Sequence, residues 1–150
     1  MAQYQQILVV EPDDLHLAFL SHVVEHKGLK SHVKFCRSGH STISYIRSSP
    51  EGARAQIYGC ILELPLIDMH GAELVDQLRA RDDLQLIKFV VFSNFIDTLA
   101  ENHARMLSGC RMVHKPPSPL ELQEQFCAIL QSMNVEAKMV SELICSAPQS

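Results

Sequence analysis

Short apolar runs about one strand long alternate along this chain with longer stretches in which apolar residues recur at helical spacing. Ile7-Leu8-Val9-Val10 is the first run, and it ends on Glu11. Asp13 then offers a cap, and Phe19, Leu20, Val23 and Val24 mark the inward face of a helix that Gly28 terminates. His32-Val33-Lys34-Phe35-Cys36 alternates as a second strand. The next helix points Ile43 and Ile46 inward and stops before Ser49-Pro50-Glu51-Gly52, a turn by composition. A third strand occupies about Ile57 to Glu63, and a helix from near Gly71 carries Leu74 and Leu78.

Phe89-Val90-Val91-Phe92, ending on Ser93, reads as the fourth strand. The helix after it, from about Asp97, groups Leu99, Ala100, Met106 and Leu107 before Gly109 closes it. Arg111-Met112-Val113-His114 runs into Lys115-Pro116 as the fifth strand. Ser118-Pro119-Leu120-Glu121 is a capping box ahead of a stripe of Leu122, Phe126, Ile129, Leu130 and Met133. Strand followed by helix, repeated through the chain, predicts an α/β domain over residues 5–132 with a five-stranded, doubly wound parallel sheet. The third, fourth and fifth strands are apolar on both faces, as a sheet covered on both sides requires. Residues 133–150 differ in character: Val135, Met139, Val140, Leu143 and Ile144 suit one face of a short helix, with a linker or a disordered tail as alternatives.

Composition narrows the function. A chain of 150 residues holds one full core, and its 47% hydrophobic content is that of an ordinary globular domain. No apolar run reaches 18 residues, and the first residues lack the form of a signal peptide; the expectation is a cytoplasmic protein with no membrane partner. The 5 cysteines are odd in number and lack C-x-x-C spacing, against both a disulfide framework and a zinc site. A net charge of −4 gives no nucleic-acid footprint. The 8 histidines are notable in number, but metal binding through them is not expected.

In a parallel sheet, functional groups gather beyond the carboxyl ends of the strands. Here those ends deliver two carboxylates (Glu11, Glu63), a hydroxyl (Ser93) and a lysine (Lys115) to one crevice. Such a set suits a phosphoryl group and a divalent cation. Asp68 reads as a loop cap. His70 and His114 flank the crevice, where an imidazole lends pH sensitivity, and His70 reads first as a solvated loop residue.

These strand ends resemble the receiver domain of bacterial response regulators, with its CheY-like, flavodoxin-type fold. The resemblance rests on Ile7-Leu8-Val9-Val10-Glu11, on Leu62-Glu63-Leu64 followed by Asp68-Met69-His70-Gly71, on Ser93, and on Lys115-Pro116. It implies a two-component signalling role, Glu63 at the phosphoacceptor position, and Ser93 and Lys115 as switch residues. It also implies a protein partner, whether a kinase, an output domain or another signalling protein, and a possible homodimer.

The chain departs from that pattern where the chemistry is done. Pro12 stands where the family has a carboxylate ligand for Mg²⁺, Glu63 where it has an aspartate, and Met112 where it has a switching aromatic ring. Proline removes a ligand that a near-octahedral ion requires, and the extra methylene of Glu63 shifts the acceptor oxygens. The expectation is therefore a pseudo-receiver: no enzyme and no cofactor, with any weak metal held by Glu11 and Glu63. Glu63 is expected to pair with Lys115 and to accept a hydrogen bond from Ser93. Partner binding is expected on the face of the fourth helix, fifth strand and fifth helix, with Phe95, Ile96 and Met112 as its apolar residues. Two alternatives remain open, a working phosphoacceptor with an unusual Mg²⁺ site and a phosphatase-like hydrolase.

Overall fold

A computed structural model of the chain describes residues 5–133. Of the extension expected over 133–150, all but Met133 lies outside the described residues. Strands β1 (Gln6–Val10), β2 (Val33–Cys36), β3 (Ile57–Leu62), β4 (Lys88–Ser93) and β5 (Arg111–His114) form one parallel sheet in the order β2-β1-β3-β4-β5. The helices are α1 (Asp14–His26), α2 (Gly39–Ser48), α3 (Glu51–Arg54), α4 (Gly71–Arg79), α5 (Glu101–Met106) and α6 (Pro119–Ser132).

The strands sort their side chains by the two-residue period of the pleat. Ile7 and Val9 of β1, Ile61 of β3, and Val90 and Phe92 of β4 point to one face, where Leu20 and Val23 of α1 and Phe126 and Ile129 of α6 cover them. Leu8, Val10, Leu62 and Val91 point to the other, beneath Ile46 of α2, Leu74 and Leu78 of α4, and Leu107 just after α5. The central strands are thus buried on both sides. Strand β5 departs from the expectation: Arg111 and His114 are exposed, and Met112 and Val113 are half-buried. It is an edge strand, so its outer rim meets solvent.

Caps fix where helices begin. Asp13 Oδ1 accepts from the N–H groups of Leu15 and His16, each at 2.9 Å. Gly28, at φ 72°, takes the left-handed conformation that ends the first helical segment. Ser118 accepts from Glu121 N–H at 3.1 Å with Pro119 at the first helical position. Two boundaries differ from the reading of the sequence. The supposed turn at Ser49–Gly52 leads directly into α3, and the segment after Asp97 first makes a 3₁₀ turn, Ile96–Thr98, before α5 begins at Glu101.

His70 is not a solvated loop residue. Its Nδ1 accepts from Ala72 N–H at 3.0 Å, and its own N–H donates to Glu73 Oε1 at 3.1 Å, which caps α4. Its ring stacks on that of His103 in α5, with centroids 3.7 Å apart and planes at 17°. Burial, and then the neighbouring His103, hold the His70 pKa below its ordinary 6.5, against an opposing pull from Glu73. Asp68 clasps a different helix: its oxygens accept from the N–H groups of Gly39 at 2.9 Å and His40 at 2.7 Å, which ties the loop after β3 to the first turn of α2.

Two outcomes follow from this packing. Phe126 is fully buried between α6 and the sheet, so Phe126→Ala is expected to lower the unfolding free energy by about 3–5 kcal/mol in urea melts. The His70 contribution to stability is complete above the unfolded pKa of 6.5 and shrinks below it, because the unfolded chain takes up the proton first. Urea midpoints should therefore fall between about pH 7 and pH 5, and His70→Asn, a non-titrating cap, should remove that part of the decline. An unaltered profile in the variant would mean that another group titrates.

Candidate functional site

Parallel pairing brings the strand ends into line. Val10 lies opposite Leu62, so Glu11 and Glu63 leave the sheet at one level; Leu62 lies opposite Val91 and Ser93 opposite His114, so Lys115 follows two residues further along the ladder. Glu11 N–H donates to Cys36 O at 2.9 Å, Glu63 N–H to Val10 O at 3.1 Å, and Lys115 N–H to Ser93 O at 3.1 Å. The ladder thus extends one residue past the strands and fixes the backbone of all three charged groups. Gly71 tightens the far side: its N–H donates to Leu64 O at 2.6 Å. A Cβ there would sit 2.5 Å from Glu63 O, so only glycine admits this approach.

The side chains converge. Lys115 Nζ donates to Glu11 Oε1 at 2.6 Å and to Glu63 Oε1 at 2.8 Å. All three residues are buried. The second oxygen of each carboxylate is also committed: Glu11 Oε2 accepts from Asp13 N–H at 3.0 Å, and Glu63 Oε2 from Leu64 N–H at 2.8 Å. Two carboxylates and one ammonium leave one net negative charge, and each oxygen of the pair has a donor.

Ser93 is buried at the end of β4, but it does not serve Glu63 as expected. Its Oγ accepts from Phe95 N–H at 3.0 Å, a turn that holds its own loop, while the partners of Glu63 are Lys115 and Leu64. Asp13 is spent on capping α1, and the His16 N–H bond, against a cost of burial, holds its carboxyl below the usual range.

This donor set does not fit Mg²⁺, which requires several oxygens free to ligate at short range. An ammonium already bridges the two carboxylates, and Pro12 offers no side-chain donor. Among the described residues no group of three or more His, Cys, Asp or Glu is placed to hold a metal ion.

Above the triad lies an open cavity of about 350 Å³, walled by Pro12, His16, Pro65, Asn94 and Phe95. His16 escaped the reading of the sequence. Its Nδ1 is buried without a hydrogen-bond partner, and its position one helical turn after Pro12 was the available signal. Of the three apolar residues expected to face a partner, Phe95 is 52% exposed, whereas Ile96 and Met112 are half-buried against the α4–α5 side of the core. His114 is exposed and lies 3.2 Å from Asp97.

No protein-family model matches the chain. A probable methanogenesis regulatory protein, FilR2 of Methanothrix harundinacea (strain 6Ac), is 26% identical over 87 residues, which are 58% of this chain and 56% of that protein. The alignment thus spans little more than half of either chain. The phosphorylated cyanobacterial phytochrome response regulator RcpA superposes with a TM-score of 0.67 at 20% identity, over 98% of each chain. A CheY-like response regulator receiver domain protein from Methanospirillum hungatei JF-1 superposes with a TM-score of 0.60 at 18% identity, over 89% of this chain and 99% of that one. Likeness of this degree, with the strand order and the aligned strand ends, gives the chain the fold of CheY-like response-regulator receiver domains.

Proposed function

We propose that this chain is a receiver-type signalling module that acts by binding a protein partner, without a phosphorylation cycle. The observation that carries the reading is the Glu11–Lys115–Glu63 triad. Phosphoryl transfer to a carboxylate needs an oxygen free to attack and a cation to neutralise the group in flight. Here both oxygens of Glu63 already accept a hydrogen bond, Lys115 is already engaged, and the ligand set does not suit Mg²⁺. Lys115 supplies internally part of the compensation that a metal ion would otherwise bring to the two carboxylates.

Binding is supported by the surface around the triad. Leu15 in the first turn of α1, Ile67 after β3, Phe95 after β4 and Leu120 in the first turn of α6 are all exposed. Because every strand runs the same way, these four positions share the carboxyl end of the sheet. A signalling partner that covered this apolar collar would close the cavity over the triad. No described helix is long and apolar enough to cross a membrane; we place the module in the cytoplasm, with a kinase, an output domain or another signalling protein as its partner.

The direct test is heteronuclear NMR of the whole chain with Mg²⁺ and then beryllofluoride, an acyl-phosphate mimic. The amides of Glu11, Glu63, Ser93 and Lys115 are expected to stay in place at millimolar ligand. Saturable shifts there, spreading into α5, would establish a working phosphoacceptor and defeat the reading. A second outcome concerns the triad itself. Lys115→Met leaves two buried carboxylates face to face and is expected to cost about 3–5 kcal/mol in urea melts. Adding Glu11→Gln and Glu63→Gln to that variant should recover much of the loss, since it removes the stranded charges. A loss below about 1 kcal/mol in the single variant would mean that the triad does not organise the site.

A further inference from the structure

We propose that a second cavity, at the amino ends of β4 and β5, binds a small organic phosphate that carries an apolar ring. It lies at the opposite end of the sheet from the triad and is independent of the reading above. Its volume is about 610 Å³, within the roughly 300–1,000 Å³ usual for small-molecule sites, and far more than a lone phosphate ion needs. Val90 and Met133 are buried and form an apolar floor on the α6 side, with the buried Phe89 on the α4 side of the sheet. Arg79, Lys88 and Arg111 stand exposed around it, and no carboxylate lines the cavity among the described residues.

Among the described residues, no carboxylate takes up the charge of these three. The chain has 17 acidic residues against 13 basic ones. Yet none of the ion pairs among the described residues involves Arg79, Lys88 or Arg111. Each is held instead by neutral groups. Arg79 donates to the carbonyls of Met106 and Ser108, both at 2.8 Å, and lies 5.5 Å from the centre of the Phe89 ring. Lys88 Nζ lies 5.2 Å from the centre of the Tyr58 ring, and Arg111 donates to Ser132 Oγ. Carbonyls, ring faces and a hydroxyl orient a cation without neutralising it.

Three oriented cations around an apolar floor define the ligand. A phosphate monoester carries about two negative charges and three acceptor oxygens, a better match than a single carboxylate. Guanidinium forks hold such oxygens in pairs, and the lysine adds a point charge. The floor of Val90 and Met133 then takes the ring.

The test is an NMR titration of the full chain with adenosine 5′-monophosphate, inorganic phosphate and adenosine. The monophosphate is expected to shift the amides of Lys88, Phe89, Gly109 and Arg111 saturably and to leave those of Glu63 and Lys115 in place. Inorganic phosphate should reach the same residues more weakly, and adenosine more weakly still. Lys88→Gln and Arg111→Gln alter exposed side chains at strand starts, and each should weaken the monophosphate about tenfold. Arg79 is left intact because it holds the end of α5. Absence of saturation by about 10 mM, shifts that persist in the double variant, or shifts at the triad instead would overturn the proposal. So would adenosine or inorganic phosphate binding as tightly as the monophosphate.

Discussion

An ammonium group buried between two carboxylates leaves the backbone little freedom in where it delivers them. Removing each ion from water costs several kcal/mol on the order of magnitude, and only close geometry with every remaining oxygen satisfied offsets it. Those conditions hold here, since Lys115 lies 2.6 and 2.8 Å from its partners and the spare oxygens accept from Asp13 and Leu64 N–H groups. Glu11 and Glu63 must therefore leave β1 and β3 at one level, with Lys115 reaching them from two residues further along the ladder. A one-residue slip of β3 against β1 would turn Glu63 away from Glu11, because side chains alternate between faces. The triad is a device for register and specificity more than a source of net stability.

The same geometry sets what the site can do. In a receiver fold the crevice at the strand ends is where a change of charge would be felt by the loops around it. Lys115, shared between Glu11 and Glu63, offsets one of their two charges from within the chain. The loop after β4 is held by Ser93 through its own turn and draws nothing from Glu63. On the function proposed above, such a site has one resting state, and a partner at the apolar collar is the means of changing it.

Much of this was legible in the residues. Alternation and helical spacing gave the strands, their order of appearance and both faces of the core, because burial of apolar side chains is what positions those elements. The pairing of Glu63 with Lys115 followed from strand ends alone. What escaped was decided by local competition for hydrogen bonds, which spacing does not encode. The Ser93 hydroxyl accepts from the backbone N–H of Phe95, while Glu63 takes its donors from Lys115 and Leu64. His70 looks like a loop residue until the N–H of Ala72 and the ring of His103 are in place around it. Strand β5 reads as apolar but lies at the sheet edge, a matter of strand order. The cations of the second cavity come from α4, β4 and β5, so no stretch of sequence shows them together.

Helix α4 connects the two ends of the molecule. It starts at Gly71, whose backbone lies against Glu63, and it ends at Arg79, beside the basic cavity. At its start His70 stacks on His103; at its end Arg79 holds the carbonyls of Met106 and Ser108. Helix α5, between those contacts, runs only from Glu101 to Met106 and has no side-chain cap of its own. A helix that short is not stable by itself and takes its position from what it packs against. The placement of α5 is thus set by α4 at both ends, through a stacked ring on the acidic side and a guanidinium on the basic side. An anion that drew Arg79 away from those carbonyls would release the carboxyl end of α5 and leave the triad untouched, which makes α5 the element on which the two ends of the sheet converge.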